Sequence, residues 1–156
     1  MIWEELNEKI VMLGVEANTN EEVLEAVGGR LIEEGYGKAN YVQGLKEREV
    51  EFPTGLDIDG VGVAIPHTSV DYVEKGAIAI ATLTHPVAFE EMGMPEGSNV
   101  DVSLVFMLAV TDPHAHLEDL QRIIAIVQDK AVLSRIIAST DVQEVIDIIK
   151  EKELSL

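Results

Sequence analysis

Gly60-Val61-Gly62-Val63-Ala64-Ile65-Pro66-His67-Thr68 reads as a short apolar strand that runs into a proline and presents a histidine at its end. Gly62 permits close backbone approach, and Pro66 brings no N–H to a ladder, so the strand is expected to stop there. Strand ends are where α/β sheets place their sites, and His67 is expected to emerge, accessible, into a crevice rather than point into the core. Histidine keeps a neutral, nucleophilic ring nitrogen near neutral pH, and a backbone carbonyl can hold the opposite nitrogen and fix the tautomer. Such a ring can accept a phosphoryl group. On pattern alone, a purely structural histidine is the competing reading.

Upstream, Phe52-Pro53-Thr54-Gly55 marks a tight connection. Before it, a short helix between Lys38 and Arg48 is expected to set Tyr41, Val42 and Leu45 against the core, to leave Lys46, Glu47 and Glu49 in water, and to deliver Arg48 to a loop. Thr19 and Glu22 have capping-box spacing, Val23, Val27 and Leu31 follow at helical intervals, and Gly35 is the expected stop. Downstream, Gly62–Ile65, Ala77–Leu83 and Val100–Val110 read as strands, the last apolar enough to be covered on both faces. Leu117, Leu120, Ile124 and Val127 give a helical stripe over about Ala115 to Asp129, and Thr140 with Gln143 has the spacing to cap a terminal helix through Ile149. Strands interleaved with helices predict an α/β (α+β mixed) fold, a mixed β-sheet sandwiched between helices, in a single domain over 1–156. The first residues carry no clear signal.

Composition removes several classes of function. Eleven basic residues against 29 acidic ones give a formal charge of −18, which repels a phosphate backbone and argues against nucleic acid as a partner. With no cysteine, the chain holds no disulfide, thiolate zinc site or cysteine nucleophile. No apolar run approaches the roughly 18 residues that cross a bilayer, and Met1–Glu5 lacks the basic start of a signal peptide, so a cytoplasmic protein without direct membrane insertion is expected. Neither Gly28-Gly29 nor Gly60/Gly62 has Walker spacing, and ATP is not the expected donor.

Taken together, Arg48-Glu49, Phe52-Pro53-Thr54-Gly55 and Gly62-Val63-Ala64-Ile65-Pro66-His67 resemble the signature of sugar phosphotransferase enzyme IIA domains of the fructose/mannitol type. The likeness extends to Tyr41-Val42-Gln43-Gly44-Leu45, Pro86-Val87-Ala88-Phe89, Val102–Val110 and the helix opening at His116-Leu117. Phe-Pro-Thr-Gly with the Tyr-Val-Gln-x-Leu approach is more similar to galactitol-type members. This resemblance implies that His67 takes phosphate from the phosphorylated histidine carrier protein. It further implies that His67 passes the phosphate to a cysteine of enzyme IIB during sugar or polyol uptake, without a metal or other cofactor. As this chain has no cysteine, the acceptor lies on a separate polypeptide. The same resemblance places Arg48 beside the active histidine, where its planar fork suits phosphate oxygens. An exposed arginine paired with Glu49 or Glu51 is the alternative.

Thr54 and Thr68 are candidate phosphate donors, or they satisfy their own turns. In Asp112-Pro113-His114-Ala115-His116, His116 matches a second histidine that mannitol-like members keep beside the phosphosite, at a helix N-terminus that favours anions. His114 reads as a loop residue and His85 as structural. Ile65, Met92 and Met94 are either an apolar docking rim or core. Two further readings compete with the relay: a regulatory module that signals by its phosphorylation state, and a metal-dependent hydrolase built on Asp112, His114 and His116.

Overall fold

The computed structural model describes residues 1–156. Its elements are α1 (Ile2–Glu5), β1 (Val11–Val15), α2 (Asn20–Glu33), α3 (Tyr41–Glu51), β2 (Gly55–Ile58), β3 (Val61–Ala64), β4 (Ala77–Glu90), β5 (Asn99–Ala109), α4 (Pro113–Val127), α5 (Lys130–Ala138) and α6 (Val142–Leu154). The five strands form one mixed sheet in the order β1-β4-β5-β3-β2. β1 runs parallel to β4 and β3 parallel to β5, while β4 with β5 and β2 with β3 are antiparallel. No helix is long and apolar enough to cross a membrane.

Period-two alternation explains the layering, because successive strand side chains face opposite sides of a sheet. Ala77, Ala79 and Ala81 of β4 and Val105, Met107 and Ala109 of β5 face Val23, Val27, Leu31, Tyr41 and Leu45 of α2 and α3. Ile78, Ile80, Leu104, Phe106 and Leu108 face the opposite layer, with Ile123 and Ile126 of α4, Leu133 and Ile136 of α5, and Val145 and Ile149 of α6. The sheet is therefore sandwiched between helices, as its apolar strands required.

Local signals account for several boundaries. Thr19 Oγ1 accepts from Glu22 N at 3.2 Å, and the Glu22 carboxylate reaches back to Asn18 N at 3.0 Å. Gly35, at φ +84°, ends the α2 segment as expected, since that region strains residues with a β-carbon. At Gly62 an added β-carbon would lie 1.8 Å from the Asp101 carbonyl oxygen, so this strand must approach β5 with no side chain in the way.

Other boundaries differ from expectation. α1, β1, β2 and α5 have no counterpart among the sequence expectations, and β4 extends to Glu90 beyond the expected Leu83. Asp59-Gly60, with φ of +51° and +93°, joins β2 to β3 as a two-residue hairpin loop. That dipeptide is the signal that reveals β2. α3 runs through Glu51, which leaves Arg48 in its last turn rather than in a loop. Glu49, expected in water, is only 5% exposed. Of the expected α4 stripe, Val127 is buried and Leu120 and Ile124 are partly buried against the core, beside Ile123 and Ile126, whereas Leu117 is 56% exposed. Apolar residues occupy too wide an arc of that helix for periodicity to set its rotation. Asp141, not Thr140, caps α6, its carboxylate accepting from Gln143 N at 2.8 Å.

Candidate functional site

β3 ends at Ala64, and the chain after it is tied down by backbone bonds on both sides. Ile65 N–H donates to the Thr54 carbonyl at 3.3 Å, and Leu108 N–H donates to the Pro66 carbonyl at 3.0 Å. The Leu108 carbonyl in turn accepts from the buried Tyr41 hydroxyl at 2.7 Å, which joins α3 to the end of β5. The next residue, His67, is half-buried. It lines an open crevice of about 300 Å³ with Arg48, Thr68, Ser69, Val70, Pro113 and His116.

The imidazole is oriented by its own strand. His67 Nδ1 lies 2.9 Å from the Ile65 carbonyl oxygen, and a carbonyl only accepts, so Nδ1 carries the proton. The lone pair therefore sits on Nε2. Burial lowers the His67 pKa from its ordinary 6.5, the Ile65 hydrogen bond opposes that shift, and nearby His116 and Arg48 lower it further. The ring is neutral at neutral pH, with one nucleophilic nitrogen.

His116 comes from the first turns of α4. Asp112 caps that helix by accepting from His114 N at 2.9 Å, Pro113 occupies its first turn, and His116 N–H closes onto the Asp112 carbonyl at 2.9 Å. The rings of His67 and His116 meet edge-on, with centroids 4.7 Å apart and planes at 61°. Burial, then Arg48, lowers the His116 pKa as well. Arg48 makes no salt bridge, so the expected alternative pairing with Glu49 or Glu51 does not form. Its guanidinium instead lies 4.1 Å over the Phe52 ring. Stacking on an aromatic face leaves the in-plane N–H donors free.

The remaining sequence candidates divide. Thr68 is buried and lines the crevice, whereas Thr54 does not. Both Thr54 donors go to Glu49: the backbone N–H at 2.7 Å and the hydroxyl at 2.8 Å. His114 is exposed and lines a separate depression with Asp112, Leu117 and Glu118. His85 is exposed on β4. No three His, Asp or Glu side chains converge, and His116 faces His67 rather than His114, which removes the geometry of the hydrolase reading. Ile65 is fully buried and belongs to the core, Met94 is 53% exposed, and Met92 lies between. Sequence reasoning missed Ser69, Val70 and the stacking role of Phe52, none of which has a local signature.

The arrangement offers a neutral nucleophilic nitrogen, an unpaired guanidinium and the first turns of a helix around one crevice. That set suits a tetrahedral anion.

Comparison with known proteins gives a consistent answer. The profile of the family described as "Phosphoenolpyruvate-dependent sugar phosphotransferase system, EIIA 2" matches residues 4–152. The galactitol-specific EIIA component of Escherichia coli strain K12 is 29% identical over 133 residues, covering 85% of this chain and 87% of that protein. The crystal structure of IIA mannitol from Escherichia coli superposes with a TM-score of 0.77 at 28% identity, covering 92% of this chain and 98% of that one. The complex of enzyme IIAMTL and phosphorylated enzyme IIBMTL from Escherichia coli matches with a TM-score of 0.77 at 27% identity, covering 94% and 97%.

Proposed function

The chain belongs to the phosphoenolpyruvate-dependent sugar phosphotransferase system EIIA 2 family and is a phosphotransferase component, and from that premise we propose that His67 is its phosphoryl carrier. The observation that carries this reading is the crevice itself. It holds one neutral imidazole with Nδ1 occupied by a carbonyl, beside an arginine that has no carboxylate partner.

In the first step Nε2 of His67 attacks phosphorus on the phosphorylated histidine carrier protein. The N–P bond of the donor breaks, and its electron pair stays on the donor ring. Because Nδ1 keeps its proton, the phosphorylated His67 ring carries a positive charge, stabilised by the Ile65 carbonyl. That charge makes Nε2 a good leaving group. In the second step a cysteine thiolate of a separate enzyme IIB attacks phosphorus, the N–P bond breaks, and His67 returns to its neutral form. Arg48 binds the equatorial oxygens in both steps, and His116 supplies a neighbouring donor at the mouth of α4. Thr68 lies within the same lining. Such a transfer depends on positioning and charge stabilisation.

The match over residues 4–152 supports reading 1–156 as a single cytoplasmic EIIA domain. The galactitol-specific relative supports a polyol as the transported substrate, and the IIA–IIB complex of the mannitol system supports enzyme IIB as the acceptor. The test is incubation with phosphoenolpyruvate, enzyme I and the histidine carrier, followed by intact mass. One acid-labile phosphate is expected on the wild type and none on His67→Ala. An unlabelled wild type, or equal labelling of His67→Ala, overturns the assignment.

A further inference from the structure

Glu49 follows Arg48 on α3 and has the opposite environment. Arg48 is exposed at the crevice, whereas Glu49 is 5% exposed. Burying a carboxyl group is costly unless its oxygens are hydrogen-bonded, and here each oxygen receives one bond from the same residue. Thr54 N–H donates to Oε2 at 2.7 Å and Thr54 Oγ1–H donates to Oε1 at 2.8 Å. This pair clamps the end of α3 to the start of β2 across Phe52-Pro53.

The clamp continues to the imidazole. The carbonyl of Thr54 accepts from Ile65 N–H at 3.3 Å, and the carbonyl of Ile65 accepts from His67 Nδ1–H at 2.9 Å. One side chain is thus bonded, through two intervening residues, to the ring on one side of the crevice. Along the helix it is covalently next to the guanidinium on the other side. Phe52, on which Arg48 stacks, lies inside the same clamped turn. No other side chain connects α3 to the β2–β3 hairpin by hydrogen bonds. A turn closed only for stability has no need of a buried acid, since a threonine hydroxyl can bond its own backbone.

We infer that Glu49 is a positioning residue, whose paired hydrogen bonds to Thr54 hold Arg48 and the Nδ1-bound ring of His67 in register for phosphoryl transfer. The inference rests on His67 being the phosphoryl acceptor. Glu49 touches no phosphate and acts through Thr54 and Ile65. Its loss frees the Thr54 donors, loosens the hairpin start against α3 and lets the Ile65 carbonyl drift from Nδ1. The ring then exchanges between tautomers, and the fraction with its lone pair on Nε2 falls.

The experiment reads the His67 tautomer in the unphosphorylated protein by nitrogen-15 NMR, beside the rate of phosphorylation by the phosphorylated carrier protein at several carrier concentrations. Glu49→Ala is expected to show a second tautomer. Its maximal rate is expected to fall by between about tenfold and a hundredfold, the range for slight misplacement of reacting groups, with the half-saturating carrier concentration unchanged. Glu49→Gln, which can still accept from Thr54 N–H and exchange a bond with its hydroxyl, is expected to restore the tautomer and most of the rate. A Glu49→Ala protein that melts earlier but keeps a single tautomer and the wild-type maximal rate shows a structural role only and overturns the inference. Should Glu49→Ala fail to fold, Thr54→Val removes one bond of the clamp and is read in the same way, with an unchanged tautomer and rate counting against it. The tautomer is measured without phosphate, so failure of the clamp is distinguishable from an unlabelled wild type.

Discussion

The rings of His67 and His116 meet edge-on at 4.7 Å, one delivered by the end of β3 and the other by the first turns of α4. At that separation two imidazolium ions repel, and each also feels the Arg48 charge. Burial is the larger cause that lowers both pKa values, and these charges add to it, which favours the neutral form in which His67 is nucleophilic and His116 still has an N–H to donate.

This coupling has a titration signature. The His67 midpoint is expected below 6.5, and phosphorylation is expected to decline at lower pH than an unperturbed histidine would give, as Nε2 binds a proton. His116→Gln removes a like charge beside His67, so the His67 midpoint should rise. Proton NMR titration of both proteins checks the direction, and an unchanged or lower midpoint in the variant contradicts the coupling.

Arg48 should matter for transfer far more than for folding. Without a salt bridge to lose, Arg48→Ala is expected to change unfolding free energy by within about 1 kcal/mol. Loss of a positioned donor at developing charge costs roughly 100- to 1000-fold in rate, and that is the expected fall in phosphorylation. Phe52→Ala removes only the stacking platform, worth about 0.5–1 kcal/mol at an exposed site, and should slow transfer about threefold. Urea melts with quench-flow phosphorylation measure both.

Glu49 predicts an unusual pH dependence of stability. Burial lifts its carboxyl from 4.5 to about 7, against the two Thr54 bonds that lower it and with Glu90 adding to the rise. The folded protein thus holds this proton more tightly than the unfolded chain. Its contribution is complete below about 4.5 and is lost as pH climbs through about 7. The gap corresponds to roughly 3 kcal/mol at about 1.4 kcal/mol per pH unit. Glu49→Gln cannot ionise, so its stability relative to wild type should improve between pH 5 and pH 8. Chemical denaturation at both ends of that window tests the sign.

Gly62→Ala should be among the most damaging small substitutions. Its β-carbon would overlap the Asp101 backbone carbonyl, which belongs to the neighbouring strand and cannot rotate away as a side chain would. β3 and β5 also change register at this point, so the contact is part of how the strand leading to His67 is seated. A loss of about 3 kcal/mol, the upper end for overpacking, is expected, with weaker phosphorylation following from a displaced His67. Thermal melts and intact mass read the two effects.

Much of the fold was legible because its signals are short. The Thr19–Glu22 cap, the Gly35 stop and the apolar β5 segment each express themselves within a few residues. β2 is hard to read although Asp59-Gly60 announces its hairpin, because the strand has only four residues and Phe52-Pro53-Thr54-Gly55 reads as a turn. The α4 stripe is legible from Leu120 through Ile124 to Val127, which meet the core, but not at Leu117, because the apolar arc is wide and its first turn lies beyond the sheet's cover.

At the site, the sequence by itself determined that a proline-ended strand would present His67, and its motifs singled out Arg48 and His116. Backbone chemistry and motif spacing are local properties, and they survive without a structure. Only the tertiary structure decided that these three groups line one crevice, that Arg48 stacks on Phe52 without a salt bridge, and that Glu49 is dry and bound to Thr54. Exposure and pairing depend on what the rest of the chain places opposite each residue. Adjacent Arg48 and Glu49 meet solvent and core respectively, a difference set by the helix's contacts and not by their order in the chain.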